Sequence, residues 1–365
     1  MKTLVEIEPR VPIHAADLPL TIVTPGSYYL AENAQSATSK ITIAANHVSI
    51  DLSGFTLGSS TVGAPIVAPS AIDDVTIRNG SIVGSDQTIN LGLASGVSLD
   101  QLDVTGPQVY LGVRAHVSRS RVHSNGGWLF SCGDQCIVED SQFSGFPQGA
   151  VLVGNHSLVT KVVIINGQGL SVGNYSVVAH SLVFSDDRGI VPSTSGGAVT
   201  ISDCDISGSG DEVIVLGDDV RLINSHVTGG ATHTITLGSR SLVQGVTVLA
   251  SGRPLFVGDE SVVRDSLVHG GGIGIAIGSG STVVGNTCTD AGGAGISVSG
   301  SGNRIEGNSF VRNNVGLLVG GTGNTILRNS ASQNTGSNYQ IASGNDVGPI
   351  GTAAAATSPW ANISF

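Results

Sequence analysis

Ser261-Val262-Val263-Arg264-Asp265-Ser266 returns as Thr282-Val283-Val284-Gly285-Asn286-Thr287, and Asn324-Thr325-Ile326-Leu327-Arg328-Asn329-Ser330 follows the same plan. Each copy places a polar residue, usually Asn or Asp, just after a pair of apolar ones. Worked outward, that polar column runs Asp140, Lys161, His180, Asp203, Asn224, Gly245, Asp265, Asn286, Asn308, Asn329. Nine steps cover 189 residues, a mean period of 21. Self-similarity at a short fixed period is the mark of a solenoid, in which each repeat buries its apolar face only by stacking on its neighbours.

A second column closes most repeats with apolar-x-apolar-Gly, as in Val151-Leu152-Val153-Gly154, Leu170-Ser171-Val172-Gly173, Ile235-Thr236-Leu237-Gly238 and Ile275-Ala276-Ile277-Gly278. Strand side chains alternate faces, so x points outward. The glycine is expected to take the turn at positive φ, where it pays no steric penalty. Three short strands per repeat of 21 predict an all-β, single-stranded right-handed parallel β-helix of about 14 coils with capped ends. Residues 1–46 carry four prolines and no clear repeat, and read as an N-terminal cap. The β-helix is expected over 47–343. Residues 344–365, with an alanine run and Pro359-Trp360, read as a C-terminal cap or tail.

Composition agrees. The chain has 365 residues, 52 of them Gly, with 4% aromatic and 12% charged residues. Many Val, Ile, Ser, Thr and Gly with few charges suit stacked strands joined by tight turns. The net charge is −11 and the lysines are Lys2, Lys40 and Lys161 alone. A phosphate-tracking surface needs clustered basic side chains, so nucleic acid is not an expected partner. No apolar run reaches the length of a membrane span. Met1-Lys2-Thr3-Leu4 leads into Glu6 and Glu8 rather than an apolar segment, so no signal peptide is visible.

Leu18-Pro19-Leu20-Thr21-Ile22 with Thr24-Pro25-Gly26-Ser27-Tyr28-Tyr29-Leu30, the first coil Val48-Ser49-Ile50-Asp51-Leu52-Ser53-Gly54-Phe55-Thr56-Leu57, and the ending Asn338-Tyr339-Gln340-Ile341 with Pro359-Trp360-Ala361-Asn362 carry a resemblance. Over essentially its whole length the chain resembles secreted bacterial right-handed β-helix repeat proteins of the pectate-lyase-like superfamily. The resemblance implies a secreted or cell-surface protein whose leader has been removed, and a polysaccharide as partner. The superfamily spans lyases, glycosidases, epimerases and non-catalytic adhesins, so fold does not choose the activity. The leading expectation is an exported protein interacting with polysaccharide, as a polysaccharide lyase or glycoside hydrolase. The alternative is a non-catalytic surface or matrix scaffold or adhesin.

Two groups of ionisable residues compete for a site. Loops before the closing strands carry Asp186-Asp187-Arg188, Asp211-Glu212, His233 and Arg253 on consecutive coils. Neighbouring carboxylates can separate an acid from a base, as glycoside hydrolysis requires. Asp186, Asp187, Asp211, Glu212 and His233 are therefore catalytic candidates, with Arg188 and Arg253 to hold a substrate carboxylate and Trp128 to stack on a sugar. Asp186-Asp187 is similar to the paired aspartates of polygalacturonase-like glycosidases, but the Gly-His-Gly and Arg-Ile-Lys that accompany them there are absent. The alternative is the ladder Arg119, Asp140, Lys161, His180, Asp203, Asn224, in which Lys161 and His180 offer the cation and base of a uronide lyase.

No cofactor is expected. Cys132 and Cys136 lack partners at zinc spacing, although a Ca²⁺ site at Asp186, Asp187 and Asp211 is a further reading. Cys132 and Cys136 flank a turn and suit either a disulfide or two buried thiols. The outward x column, from Ser131 through Phe256 to Leu318, has no charge and offers a surface for self-association.

Overall fold

A computed structural model of the chain describes residues 10–37, 39–60, 63–124, 130–145, 149–165, 167–193 and 197–365. It is an all-β parallel solenoid of about 15 turns with about 21 residues per turn. Among the described residues the only helix is a single 3₁₀ turn, Ala15–Asp17. No helix there is long and apolar enough to cross a membrane. The chain divides into two compact units, Met1–Val177 and Val178–Phe365.

In the first unit parallel pairing already begins at Val11–Ile13, which lies against Tyr28–Leu30. Asp73–Gly84 and Ser95–Thr105 run two sides of a coil as single long strands, in register from Ser95↔Asp73 to Thr105↔Val83. Further along, each coil resolves into three strands of about three residues, such as Ile137–Glu139, Gln142–Ser144 and Val151–Val153. Phe130 and Phe143 fill the interior edge to face, with centroids 4.7 Å apart, a geometry that suits the ring quadrupoles.

The second unit repeats the plan. Closing strands Glu212–Leu216, His233–Leu237, Arg253–Val257, Ile275–Ile277, Ala294–Val298 and Val315–Val319 stack in one parallel sheet. The other two strands of each coil, such as Arg221–Ile223 and His226–Gly229, stack on their own equivalents. Inward Val, Ile and Leu form columns: Ile214, Ile235, Leu255, Ile275, Ile296 and Leu317 are at most 1% exposed.

Corners depend on residues in the left-handed region. At the corner between the first two strands of each coil in the second unit these include His180, Asp203 and Asn224, with φ of 49°, 54° and 47°, followed by Gly245, Asp265, Gly285 and Gly307. Among the described residues no non-glycine residue at positive φ is β-branched, in keeping with the steric cost of that region.

Here the register departs from the sequence alignment. Val262 pairs with Thr282 and Val263 with Val283, so Ser261 matches Ser281 and Asp265 matches Gly285. Asn286, Asn308 and Asn329 stand one residue past the corner, in the column of Ser266, and point inward at no more than 1% exposure. The expected single polar column is therefore two: an outward left-handed corner and a buried hydrogen-bonding ladder beside it. In that ladder the backbone N–H of Ser266, Asn286, Asn308 and Asn329 donates to the side-chain oxygen of Asn286, Asn308, Asn329 and Asn362, at 2.9–3.1 Å. Asn362, from the closing segment of the chain, ends the ladder.

The closing glycines also differ from expectation. Gly238 and Gly258 do not adopt positive φ; that conformation falls two residues later, on Arg240 and Glu260. A Cβ on Gly238 would sit 2.6 Å from the carbonyl carbon of Gly217, and one on Gly258 2.7 Å from the nitrogen of Ser239. These glycines are required by the close approach of consecutive coils, not by turn conformation.

Candidate functional site

The turns leading into the closing strands carry the first candidate row. They are short and tied to one another by backbone bonds. Gly210 N–H donates to the Asp187 carbonyl at 3.0 Å, those of Thr232 and His233 donate to the Asp211 carbonyl at 3.0 and 2.9 Å, and that of Arg253 donates to the Thr232 carbonyl at 2.8 Å. Strand pairing then aligns Glu212 with His233 and His233 with Arg253. His233 Nδ1 lies 3.9 Å from Glu212 Oε1, with side chains 26% and 27% exposed. Ile190 pairs with Ile214, which puts Arg188 in the register column of Glu212. Asp187 is half-buried, with its backbone N–H donating to Ser185 Oγ at 3.1 Å. Asp186, Arg188, Asp211 and Arg253 are exposed. Glu212, His233 and Arg253 are thus one row, and Asp211 adjoins it by one residue.

This row borders an uncharged face. Val215↔Thr236, Thr236↔Phe256, Phe256↔Ala276, Ala276↔Ser297 and Ser297↔Leu318 are all direct pairs. Their side chains point out of the sheet, and Phe256 is 43% exposed.

The alternative ladder is divided between the two units. In the second, His180, Asp203 and Asn224 edge an open depression of about 570 Å³ with Asp205 and His226 on its side and Cys204 in its floor. Asp205 Oδ1 lies 3.2 Å from His226 Nδ1. Burial, the main influence on the Cys204 thiol, pushes it up to about 11. In the first unit Arg119, Arg121, Asp140 and Lys161 line a similar open depression of about 470 Å³. Lys161 Nζ lies 3.9 Å from Asp140 Oδ1. Arg119 donates from Nε and Nη2 to Asp100 at 2.9 and 2.6 Å. Burial raises the Asp100 carboxyl, but the bonds from Arg119 and Ser118 outweigh it and hold the group below its ordinary value. Asp205 and His226 escaped sequence reasoning. They are outward residues of the second strand, two past the corner, and only the corner column had been followed. Trp128 lies outside the described residues.

Cys132 and Cys136 are both free, buried thiols, with Cys132 Sγ donating to the Leu152 carbonyl at 3.7 Å and Cys136 Sγ to that of Gly112 at 3.6 Å. Each thiol is the largest influence on the other, pushing Cys132 well up and drawing Cys136 down.

The register of the strands settles the fold. This is a parallel β-helix repeat protein. Residues 172–347, slightly under half of the chain, match the family model described as "Periplasmic copper-binding protein (NosD)". No curated protein is similar enough to count as a match. Among solved structures, the A-module of a mannuronan C-5 epimerase from Azotobacter vinelandii is 12% identical, with 93% of this chain and 91% of that one covered and a TM-score of 0.31. Tailspike protein 3 of bacteriophage CBA120 is 12% identical, with 97% and 60% covered and a TM-score of 0.30. The Dettilon tailspike protein is 13% identical, with 97% and 68% covered and a TM-score of 0.25.

The copper named in that family description can be tested against the donors present. Among the described residues no three His, Cys, Asp or Glu side chains stand together in a way that could hold a metal ion. In the matched segment His226, His233 and His269 each face a carboxylate, of Asp205, Glu212 and Asp290 respectively. The Cys204 and Cys288 thiols are buried and pushed up, which disfavours the thiolate a metal needs. The donor set does not fit copper. Asp186, Asp187 and Asp211 likewise form no metal-holding group, so the calcium reading gains no support.

Proposed function

We propose that this protein is exported and holds a polysaccharide along the outward face of its closing strands. The observation that carries the reading is the uncharged ladder from Val215 to Leu318, in register beside the polar row Glu212, His233, Arg253. Sugar rings present apolar C–H faces and a rim of hydroxyls. A flat row containing an exposed aromatic ring meets the former, and ionisable side chains at one edge meet the latter. The stacking repeat of about 4.8 Å is close to the length of one sugar unit, so successive coils can meet successive units. The match to a family described as periplasmic supports export.

Glu212 and His233 also supply a proton-transfer couple. Imidazole and carboxylate side chains at 3.9 Å are the group types that act as general acid and base toward a bound hydroxyl or glycosidic oxygen. Asp186, Asp187 and Asp211 would extend that edge, with Arg188 and Arg253 as hydrogen-bond donors. The test is a panel of neutral, acidic and amine-bearing glycans, read by calorimetry for binding and by reducing ends and unsaturated-uronide absorbance for turnover. Binding weakened at least tenfold by Phe256→Ser supports the reading. Absence of binding across the panel overturns it. Binding without turnover would make the protein a non-catalytic scaffold, a role suited to its short turns.

A further inference from the structure

Charge at the two ends of the closing strands says which glycans this face favours. At the leading end stand Asp211 and Glu212, and at the trailing end Asp218, Asp219, Asp259 and Glu260. Across the three strands Glu212–Leu216, His233–Leu237 and Arg253–Val257, two guanidiniums, Arg253 and Arg240, stand against these six carboxylates. Arg240 is already committed: its Nε and Nη2 donate to Asp219 at 2.9 Å each and its Nη2 to Asp218 at 3.1 Å. The strand Glu212–Leu216 is five residues long. Val215 stands three residues from both Glu212 and Asp218, so the uncharged row lies roughly 10 Å from either acidic edge, about one Debye length at about 0.1 M ionic strength. A polyanion laid along the row would be repelled from both sides, whereas a polycation would be drawn in. Phe256 adds a separate preference. Its ring is 43% exposed in the middle of the row, and an ammonium over an aromatic face is held by the ring quadrupole.

We infer that the closing-strand face binds an amine-bearing polysaccharide, a polymer of free amino sugars, in preference to a polyuronate. This rests on the polysaccharide reading above and narrows its ligand class.

The experiment is calorimetric titration of the full chain with three probes of matched length: a glucosamine oligomer, its N-acetylated counterpart and an oligouronate. Each is run at low and at high salt, with sedimentation velocity on the protein alone. The glucosamine oligomer is expected to bind at least tenfold tighter than the other two at low salt and to lose most of that advantage at high salt. Asp259→Asn/Glu260→Gln keeps the Asp259 oxygen that accepts from Ser279 N–H. It should weaken the glucosamine oligomer at least threefold and leave the N-acetylated one unchanged, with the circular dichroism spectrum intact. Equal or tighter binding of the N-acetylated oligomer or the oligouronate overturns the ligand class while leaving polysaccharide binding standing. Binding of none overturns both. Self-association abolished by Phe256→Ser would seat a second copy on the face and overturn the glycan assignment.

Discussion

Asn308 shows how much rests on one buried side chain. Its Oδ1 accepts from the backbone and side-chain nitrogens of Asn286 at 2.9 and 3.0 Å, and its Nδ2 donates to the Val283 carbonyl and to Asn329 Oδ1 at 2.9 and 3.0 Å. Truncation would leave buried donors and acceptors unpaired in a place water does not reach. Asn308→Ala should therefore cost about 2–4 kcal/mol, seen as a lowered denaturation midpoint with the β spectrum retained. An unchanged midpoint would mean the ladder is incidental. Asp290 makes the opposite case at the surface. Arg312 donates to it from Nε and Nη2 at 2.8 Å each, and this pairing, above all, holds its carboxyl below the ordinary value. A depressed carboxylate contributes stability above its unfolded pKa and loses it as pH falls through the folded one. Asp290→Asn should then cost less than about 1 kcal/mol at pH 7, and the difference from the parent should shrink as pH falls below the ordinary carboxylate range. Denaturation midpoints of both proteins across pH 2–7 check this. Asn in a repeat was visible in the sequence; that three of these asparagines turn inward was not, because Asn serves an exposed corner and a buried ladder equally well.

At the scale of strands and turns, the decisive quantity is register. Side chains alternate with a period of two, so a slip of one residue exchanges inside for outside. Ser261-Val262-Val263 resembles Thr282-Val283-Val284 letter by letter, yet Val262 faces Thr282 across the sheet. The hydrophobic column Val263–Val283 sets the pairing, and the likeness of Ser261 to Thr282 is coincidental. The closing column had no such ambiguity, since its apolar-x-apolar pattern brackets the outward residue on both sides; every step from Val215 to Leu318 reads as the pattern predicts. Its glycine was legible as a position but not as a reason. Gly238→Ala introduces a Cβ 2.6 Å from the backbone of Gly217, where neither partner can rotate away. We expect a loss of roughly 1–3 kcal/mol, measured by thermal or chemical unfolding. Tolerance of alanine there would show that the coils can separate slightly at no cost.

For the molecule as a whole, charge and thiols give the remaining tests. The four cysteines are buried, so alkylation of the folded protein should be slow at all of them and complete after unfolding without reductant. A Cys132 and Cys136 pair that resists labelling even when unfolded would demonstrate a bridge. Copper titration followed by calorimetry should show no stoichiometric site, because no three donors converge among the described residues; one equivalent bound tightly by the full chain would contradict that reading.

The sequence alone determined the coil length, the three-strand plan, the uncharged outward row and the excess of carboxylates. Each of these is a property of periodicity or composition, which survives without coordinates. Only the tertiary structure decided which residue faces which across coils: Glu212 beside His233, Asp205 beside His226, Asn286 inward rather than at the corner. The physical reason is that coils vary in their turns, with paired residues 18 apart at Ser98↔His116 and 27 apart at Val48↔Val75, and the stacking of apolar columns, not residue likeness, absorbs the difference.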